Sequence, residues 1–293
     1  MKMKKSLFGL LIVLLISNTL MAGGPWTQKK GIGFFKLSEW WVVFDQHFNA
    51  EGNIDKNVTT GVFNTSLYAE YGLTDRLTGI FNGNIFSRNY TNNQVSSNTG
   101  EIVIPGDELN ALGDIDLGLK YGITKAGSKI PVAASLYIGV PTGSTDAGSR
   151  NFLNTGDGEF NQMIQLDLGY GFQLHDNVSA YLSGYGGINN RTQSFSDELR
   201  YGTELGLGLL KNRIWLVARV YGVSSFNNGD ETTTINSANI YANNLEYGST
   251  AIEINGYATK RLGLSFGNAT AFHGELIAAR PSYSIGIFYD MSK

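Results

Sequence analysis

The segment GDIDLGLKYGI (residues 113–123) alternates apolar and polar side chains along its whole length. Its apolar positions are Ile115, Leu117, Leu119, Tyr121 and Ile123, and charged or small residues lie between them. A period of two is typical of a β-strand with one apolar and one polar face. The pattern returns at residues 160–174 and 199–209, and no stretch shows a convincing helical period. The sequence therefore predicts an all-β chain.

The number of strands and the lengths of their connections indicate the architecture. Twelve strands are predicted, at residues 31–46, 59–72, 76–88, 113–123, 130–140, 160–174, 178–189, 199–210, 213–226, 246–258, 261–273 and 281–290. Long polar connections alternate with tight ones, as in outer-membrane barrels with short periplasmic turns and longer extracellular loops. A sheet spans lipid only when it closes, because every backbone polar group must be paired. The pattern predicts a twelve-stranded antiparallel transmembrane β-barrel of the outer-membrane type.

The first 22 residues differ in composition from the rest of the chain. Lys2, Lys4 and Lys5 precede an apolar run at residues 7–16, and the small residue Ala22 ends the segment. This arrangement is typical of a cleaved signal peptide. A transmembrane anchor needs about 20 apolar residues, and the polar residues 17–19 interrupt this run earlier. We expect residues 1–22 to be a signal peptide and residues 23–293 to form the barrel.

Composition excludes several classes of function. The chain has no cysteine, so neither a disulfide framework nor a cysteine nucleophile is available. Removing the signal peptide would leave 19 basic residues against 25 acidic ones, since it carries three lysines and no acidic residue. Nucleic-acid binding needs clustered Lys and Arg that neutralise phosphates. No nucleic-acid partner is expected.

The polar faces of the predicted strands supply the candidate functional residues. An Arg or Lys facing the bilayer midplane costs about 2–4 kcal/mol, so charged strand residues are expected to line the lumen. The predicted lining residues are Glu70, Arg88, Asp114, Asp116, Lys120, Asp167, Arg200, Glu204, Arg219 and Glu253. In the first strand, unbroken alternation places either Lys36 or Glu39 on the lipid side. We therefore expect a β-bulge near Ser38 that turns Lys36, Glu39 and Asp45 inward.

Three segments carry a resemblance to a known family. YGLTDRL (71–77), GDIDLGLKYGI (113–123) and IGVPTGS (138–144) resemble the outer-membrane transporter family linked to the meta-pathway of phenol degradation. The likeness covers residues 59–190 best. It implies a channel for small hydrophobic or aromatic molecules and suggests a distant relation to long-chain fatty acid channels. Residues 23–30, which precede the first strand, are too few for the N-terminal plug of a fatty acid channel.

A search for catalytic and metal-binding chemistry gives little. None of the three histidines, His47, His175 and His273, has a serine two residues away that would share its strand face. We therefore expect no enzyme activity and no cofactor. Asp146, Asp157 and Glu159 supply oxygen ligands of the kind that Ca²⁺ prefers. No twelve-residue calcium-loop motif is present, so an acidic solvated loop is favoured and no metal is expected.

Two functions remain in contention. A twelve-stranded barrel lies between eight-stranded barrels filled by side chains and sixteen-stranded ones with an aqueous channel. The favoured function is a channel for small, hydrophobic or aromatic molecules in the outer membrane of a Gram-negative bacterium. The alternative is a structural or adhesion barrel with a filled lumen that acts through its extracellular loops, above all 89–112 and 227–245. The expected partners are membrane lipid, lipopolysaccharide, a small-molecule solute and the outer-membrane assembly machinery.

Overall fold

The computed structural model describes residues 23–145, 147–149, 153–230 and 241–293, and their strands form a closed antiparallel barrel of twelve strands. The wall strands are β1 (Gly33–Phe48), β2 (Ile54–Gly72), β3 (Leu77–Thr91), β4 (Ile115–Gly122), β5 (Val132–Val140), β6 (Asn161–His175), β7 (Val178–Arg191), β8 (Glu198–Leu209), β9 (Ile214–Ser225), β10 (Glu246–Tyr257), β11 (Leu262–Glu275) and β12 (Ser282–Asp290). The sheet closes where β12 pairs with β1, from Phe34 opposite Asp290 to Val42 opposite Ser282. The predicted fold is confirmed, whereas the predicted signal peptide, residues 1–22, lies outside the described residues.

Four short strands extend or decorate this wall. Asp107–Ala111 pairs with β3 above β4, and Ile277–Ala278 pairs with β1. Gln94–Val95 and Ile102–Ile104 form a small hairpin of their own in the β3–β4 connection. No helix in the described part of the chain is long and apolar enough to cross a membrane.

The two ends of the barrel differ in their connections. At one end, here called the turn end, the connections are residues 73–76, 123–131, 176–177, 210–213 and 258–261. At the opposite end, the loop end, they are residues 49–53, 92–114, 141–160, 192–197, 226–245 and 276–281. The alternation of long and short connections is less strict than expected. Strands β1 and β2 continue beyond their predicted ends, so only residues 49–53 join them.

The outer face of the wall is apolar, as period-two patterning requires. Leu166, Leu168 and Ile252 are among the many large apolar side chains exposed there. Exposed aromatic residues follow the turn end along the part of the wall from β12 through β1 to β6, namely Tyr71, Tyr121, Tyr170, Phe172 and Tyr289. Basic side chains accompany these rings, for example Arg76, whose guanidinium lies 5.4 Å from the centre of the Tyr121 ring. Such aromatic girdles are typical of the membrane–water interface.

Glu39 is an exception to this apolar outer face. The register of β1 runs unbroken past Ser38 against both neighbouring strands, and its shift lies between Phe44 and Gln46 instead. The predicted bulge near Ser38 is therefore wrong, and Glu39 pairs with Ile285, which points outward. Ile285 lies four positions before the girdle residue Tyr289 on the same strand, about 10 Å away along the barrel axis. Glu39 thus faces the middle of an apolar band that is typically about 25 Å tall.

Replacing Glu39 by leucine is expected to stabilise the barrel in lipid. Among the described residues, Thr65 Oγ1 donates a hydrogen bond to the Glu39 carboxyl at 2.6 Å. One hydroxyl does not replace the water that a carboxyl loses in hydrocarbon. We expect Glu39→Leu to raise the free energy of unfolding by about 1–3 kcal/mol, measured by urea titration in lipid vesicles. Glu51→Leu, in the exposed β1–β2 loop, is the control that should gain nothing, and a less stable Glu39→Leu barrel would contradict the lipid-facing placement.

Candidate functional site

The interior of the barrel contains two cavities, one above the other. The turn-end cavity measures about 570 Å³ and the loop-end cavity about 640 Å³. Gln165, Tyr185 and Tyr221 line both of them, so these residues mark the level at which the cavities meet. Many aromatic rings lie in the wall of the turn-end cavity, among them Tyr68, Tyr137, Tyr181, Trp215, Tyr257 and Phe288. The lumen is therefore not filled by side chains over its whole height.

A ladder of charged groups crosses one side of the turn-end cavity. Lys36 Nζ donates to Glu253 Oε1 at 3.1 Å, and Arg219 Nη1 donates to the other oxygen of Glu253 at 3.1 Å. The Arg219 guanidinium also binds Glu204, which in turn accepts the hydroxyl of Tyr181. These groups come from five strands: Glu253, Arg219, Glu204 and Tyr181 lie on the successive strands β10 to β7, and the side chain of Lys36 reaches Glu253 from β1. Of the predicted lining residues, the structure brings Glu204, Arg219 and Glu253 together here.

A second charged cluster lies deeper in the wall at the turn end. Lys120 Nζ donates to Glu70 Oε1 at 2.8 Å, and the two side chains are 2% and 0% exposed. The Tyr68 hydroxyl donates to the same oxygen at 2.7 Å. Asp167 lies near Lys120, is 3% exposed and accepts a hydrogen bond from Gln165 through Oδ1. Glu70, Lys120 and Asp167, all predicted from the sequence, thus form one buried group.

Residues 23–31, which precede β1, lie inside the turn end and not below it. Gln28 bonds to Thr78 Oγ1 through its backbone N–H at 2.9 Å and to Glu70 Oε2 through its side chain at 2.9 Å. Trp26 packs edge-on against Tyr181 on β7, with ring centres 5.4 Å apart. Because β3 and β7 stand on different sides of the barrel, the segment crosses the opening. We call residues 23–31 the crossing segment.

At the loop end, the β5–β6 loop folds inward to the loop-end cavity and is held there by Arg191. Its guanidinium binds Glu159 at 2.9 Å, Glu198 at 2.8 Å and Asp157 at 3.0 Å, and its side chain is 4% exposed. The same guanidinium stacks on Phe195, 4.4 Å from the ring centre. Asp157 and Glu159 belong to the β5–β6 loop, which is thereby tied to the ends of β7 and β8. The carboxylates considered for Ca²⁺ bind an arginine instead, and Asp146 lies outside the described residues.

The remaining predicted lining residues lie nearer the loop end. Asp114 accepts the backbone N–H groups of Gly143 and Asp157, at 2.9 and 3.1 Å, and so fixes the β5–β6 loop from below. Asp116 accepts a long hydrogen bond from Asn82 at 3.4 Å. Arg200 lines the loop-end cavity and binds Glu198 at 2.8 Å.

Arg88 does not face the lumen, so its predicted place in the lining is wrong. It pairs with the exposed Glu108 at 3.0 Å, is 43% exposed and lies over the rings of Phe63 and Tyr90. The cause is a register shift between β2 and β3, where Thr65 pairs with Phe86 and Ser66 with Asn84. One extra residue reverses which later side chains point outward. Arg88 therefore snorkels at the outer rim, with its charge away from hydrocarbon.

Sequence reasoning missed the groups that close the two ends. Arg191 and Glu198 fell in the predicted connection 190–198, outside the predicted strands, where alternation does not assign a face; in the structure they lie at the ends of β7 and β8. Trp26 was passed over because it precedes the first strand, although an aromatic residue beside Pro25 in a mature N-terminal segment is a usable signal of packing. Clusters of three or more potential metal ligands are absent among the described residues.

Acid is expected to strengthen the closure of the loop end. Burial raises the pKa of Asp157, and burial together with the adjacent Asp157 raises the pKa of Glu159. Both carboxyls bind protons more tightly in the folded-in loop than in solvent, where a carboxyl pKa is about 4. Lowering the pH through the raised pKa values of Asp157 and Glu159 therefore adds protons to the state in which the β5–β6 loop is folded inward. This protonation stabilises the folded-in state, here called the closed state, relative to the open one.

Single-channel recording between pH 8 and pH 5 checks this expectation. The open fraction should fall as the medium becomes acidic, and the double variant Asp157→Asn, Glu159→Gln should lose most of that dependence. An open fraction that rises in acid would contradict the assigned direction.

Comparison with known proteins is consistent with this geometry. No family model matches the chain, and no curated protein matches it. Among solved structures the fold is that of outer-membrane β-barrels. The COG4313 outer membrane channel from Pseudomonas putida F1 is similar at a TM-score of 0.52 and 14% identity, over 91% of this chain and 98% of that one. The NanC porin is 8% identical at a TM-score of 0.47, over 87% of this chain and 99% of that one.

Proposed function

We propose that this protein is an outer-membrane channel for small molecules of hydrophobic or aromatic character. The observation that carries the proposal is the pair of aromatic-lined cavities, about 570 and 640 Å³, that share Gln165, Tyr185 and Tyr221 as lining residues. Concave sites of this size, in which apolar and aromatic side chains lie beside placed polar groups, are typical of small-molecule binding. The proposal includes exposure of the outer wall to lipid and lipopolysaccharide, and insertion by the outer-membrane assembly machinery.

The lining suits a solute with an apolar body and a small polar group. Its charged side chains are mostly paired with one another, as in the ladder from Lys36 to Glu204. Paired charges leave few sites for a strongly hydrated solute, whereas π-faces attract aromatic rings. Selectivity would come from pore width and lining chemistry, without a catalytic step.

The crossing segment narrows the turn end of the lumen, and the inward-folded β5–β6 loop narrows the loop end. Movement of the crossing segment and of the β5–β6 loop would widen the two ends for passage. A closed ground state is compatible with transport when the solute binds better to an open state than to a closed one.

Permeation through vesicles that contain the purified protein tests the proposal. We expect phenol-sized aromatic solutes to enter faster than sugars of similar mass. Tyr185→Ala should admit larger aromatic solutes, because this ring faces the junction of the two cavities. Tyr201→Ala removes an exposed ring from the outer face of β8 and should leave permeation unchanged. No uptake of any tested solute by the wild type or Tyr185→Ala would refute the channel proposal.

A further inference from the structure

Four hydrogen-bond donors surround the buried carboxylate of Glu70, and the barrel wall supplies only some of them. Two of them, Lys120 Nζ and the Tyr68 hydroxyl, come from wall strands. The other two come from the crossing segment. Gln28 Nε2 donates to Oε2 at 2.9 Å, and the backbone nitrogen of Gly23 lies 3.2 Å from Oε1. The segment is therefore tied to Glu70 at two points.

Gly23 holds a special position in the sequence. It directly follows Ala22. The basic start, the apolar run and the small residue of the predicted signal peptide place the predicted cleavage between these two residues. Cleavage there changes the Gly23 nitrogen from a peptide N–H into an α-ammonium group with a full positive charge. The atom closest to Glu70 would then be a cation, and its hydrogen bond would be charge-assisted.

The charge balance of the buried group provides an independent argument. Glu70 and Asp167 are two carboxylates at 0% and 3% exposure, and Lys120 is the cation beside them. Asp167 Oδ2 is buried and has no hydrogen-bond partner among the described residues. Buried charges are costly unless they are paired. One additional cation at Gly23 would bring the group to neutrality.

We propose that Glu70 is the binding site for the α-ammonium group that cleavage before Gly23 creates. Processing would then complete the buried charge cluster and fasten the crossing segment over the turn end. An unprocessed chain would offer only a neutral N–H at this position. This assignment concerns the amino terminus alone and does not depend on which solute passes through the barrel.

The test measures the reactivity of the α-amino group in protein purified from outer membranes. Intact mass first establishes whether the chain begins at Gly23. The folded barrel is then treated with an α-amine-selective aldehyde at a series of pH values, and the rate of modification is measured. An ammonium held by Glu70 should react half-maximally at a pH at least one unit higher than in Glu70→Gln. Simple burial would slow the reaction in both proteins without moving the pH of half-maximal rate.

Two further variants keep the test decisive. Glu51→Gln removes a carboxylate of the exposed β1–β2 loop and should leave the profile of the amino terminus as in the wild type. Inserting one alanine before Gly23 leaves every side chain intact and moves the ammonium by about 3.8 Å. It should lower the pH of half-maximal rate as Glu70→Gln does, even if that variant fails to fold. A first residue other than Gly23, or a profile unaffected by the insertion, would overturn the proposal.

Discussion

Deleting residues 23–28 is expected to raise the single-channel conductance several-fold. This part of the crossing segment occupies the turn end, where Trp26 packs against Tyr181 and Gln28 binds Thr78 and Glu70. It contributes no strand to the wall, because β1 begins at Gly33 and closes the barrel without it. The deletion thus removes an obstruction while the hydrogen-bonded cylinder stays intact. Planar-bilayer recording at fixed salt concentration measures the effect.

A milder variant separates obstruction from a general loosening of the barrel. Trp26→Ala keeps the backbone of the segment and its bonds to Thr78 and Glu70, but removes the ring that packs on Tyr181. We expect an intermediate conductance for it. Trp41→Ala removes a ring that stacks with the exposed Tyr283 on the outer face and should leave conductance unchanged. If the deletion conducted no better than the wild type, the crossing segment would not limit passage.

The wall of the barrel could be predicted because the polarity of its side chains alternates with a period of two along each strand. A strand between lipid and lumen must alternate in polarity, and that requirement acts on every residue of twelve segments. Segments such as 113–123 and 160–174 therefore revealed both their facing and their ends to within a few residues. Charged residues in regular strands, such as Glu204 and Arg219, could be assigned to the inward face by the same rule.

The errors arose where alternation is interrupted. In β3 the neighbouring residues Ile85 and Phe86 are both exposed, and the register shift falls there. Two consecutive apolar residues were a usable sign that the face changes, which would have placed Arg88 outside. In β1 the cost of an outward carboxyl argued for a bulge near Ser38. In the structure Glu39 nevertheless faces outward, and the hydrogen bond that the Thr65 hydroxyl donates to its carboxyl offsets part of the free-energy cost.

The elements that close the two ends could not be predicted from period-two alternation. The crossing segment and the β5–β6 loop have no repeating pattern, and their positions depend on partners distant in sequence. Gly23 lies 47 residues from Glu70, and Arg191 lies 34 residues from Asp157. Length alone suggested that residues 23–30 were too few for a plug. A segment of that length suffices here because it crosses a narrow opening and does not fill a wide lumen.

Replacing Arg191 by methionine is expected to cause a large loss of stability in the barrel. The change keeps an apolar chain that can rest on Phe195 but removes the cation shared by Asp157, Glu159 and Glu198. Removing one partner of a buried ion pair typically costs about 3–5 kcal/mol, because the remaining charges stay buried and unpaired. The β5–β6 loop should detach first, because Arg191 holds its carboxylates Asp157 and Glu159 against the wall. Urea titration in lipid vesicles and protease cleavage within residues 141–160 measure the two effects.

A surface ion pair provides the matched control for this loss. Arg280→Met removes an arginine that binds Asp45 at 2.7 Å, with both side chains about half exposed. Exposed pairs contribute about 0–1 kcal/mol, so this variant should remain close to the wild type. Lowering the pH should partly restore the Arg191→Met barrel, because protonation neutralises the carboxylates that have lost their cation. Equal stability of the two arginine variants would show that Arg191 does not hold the loop end closed.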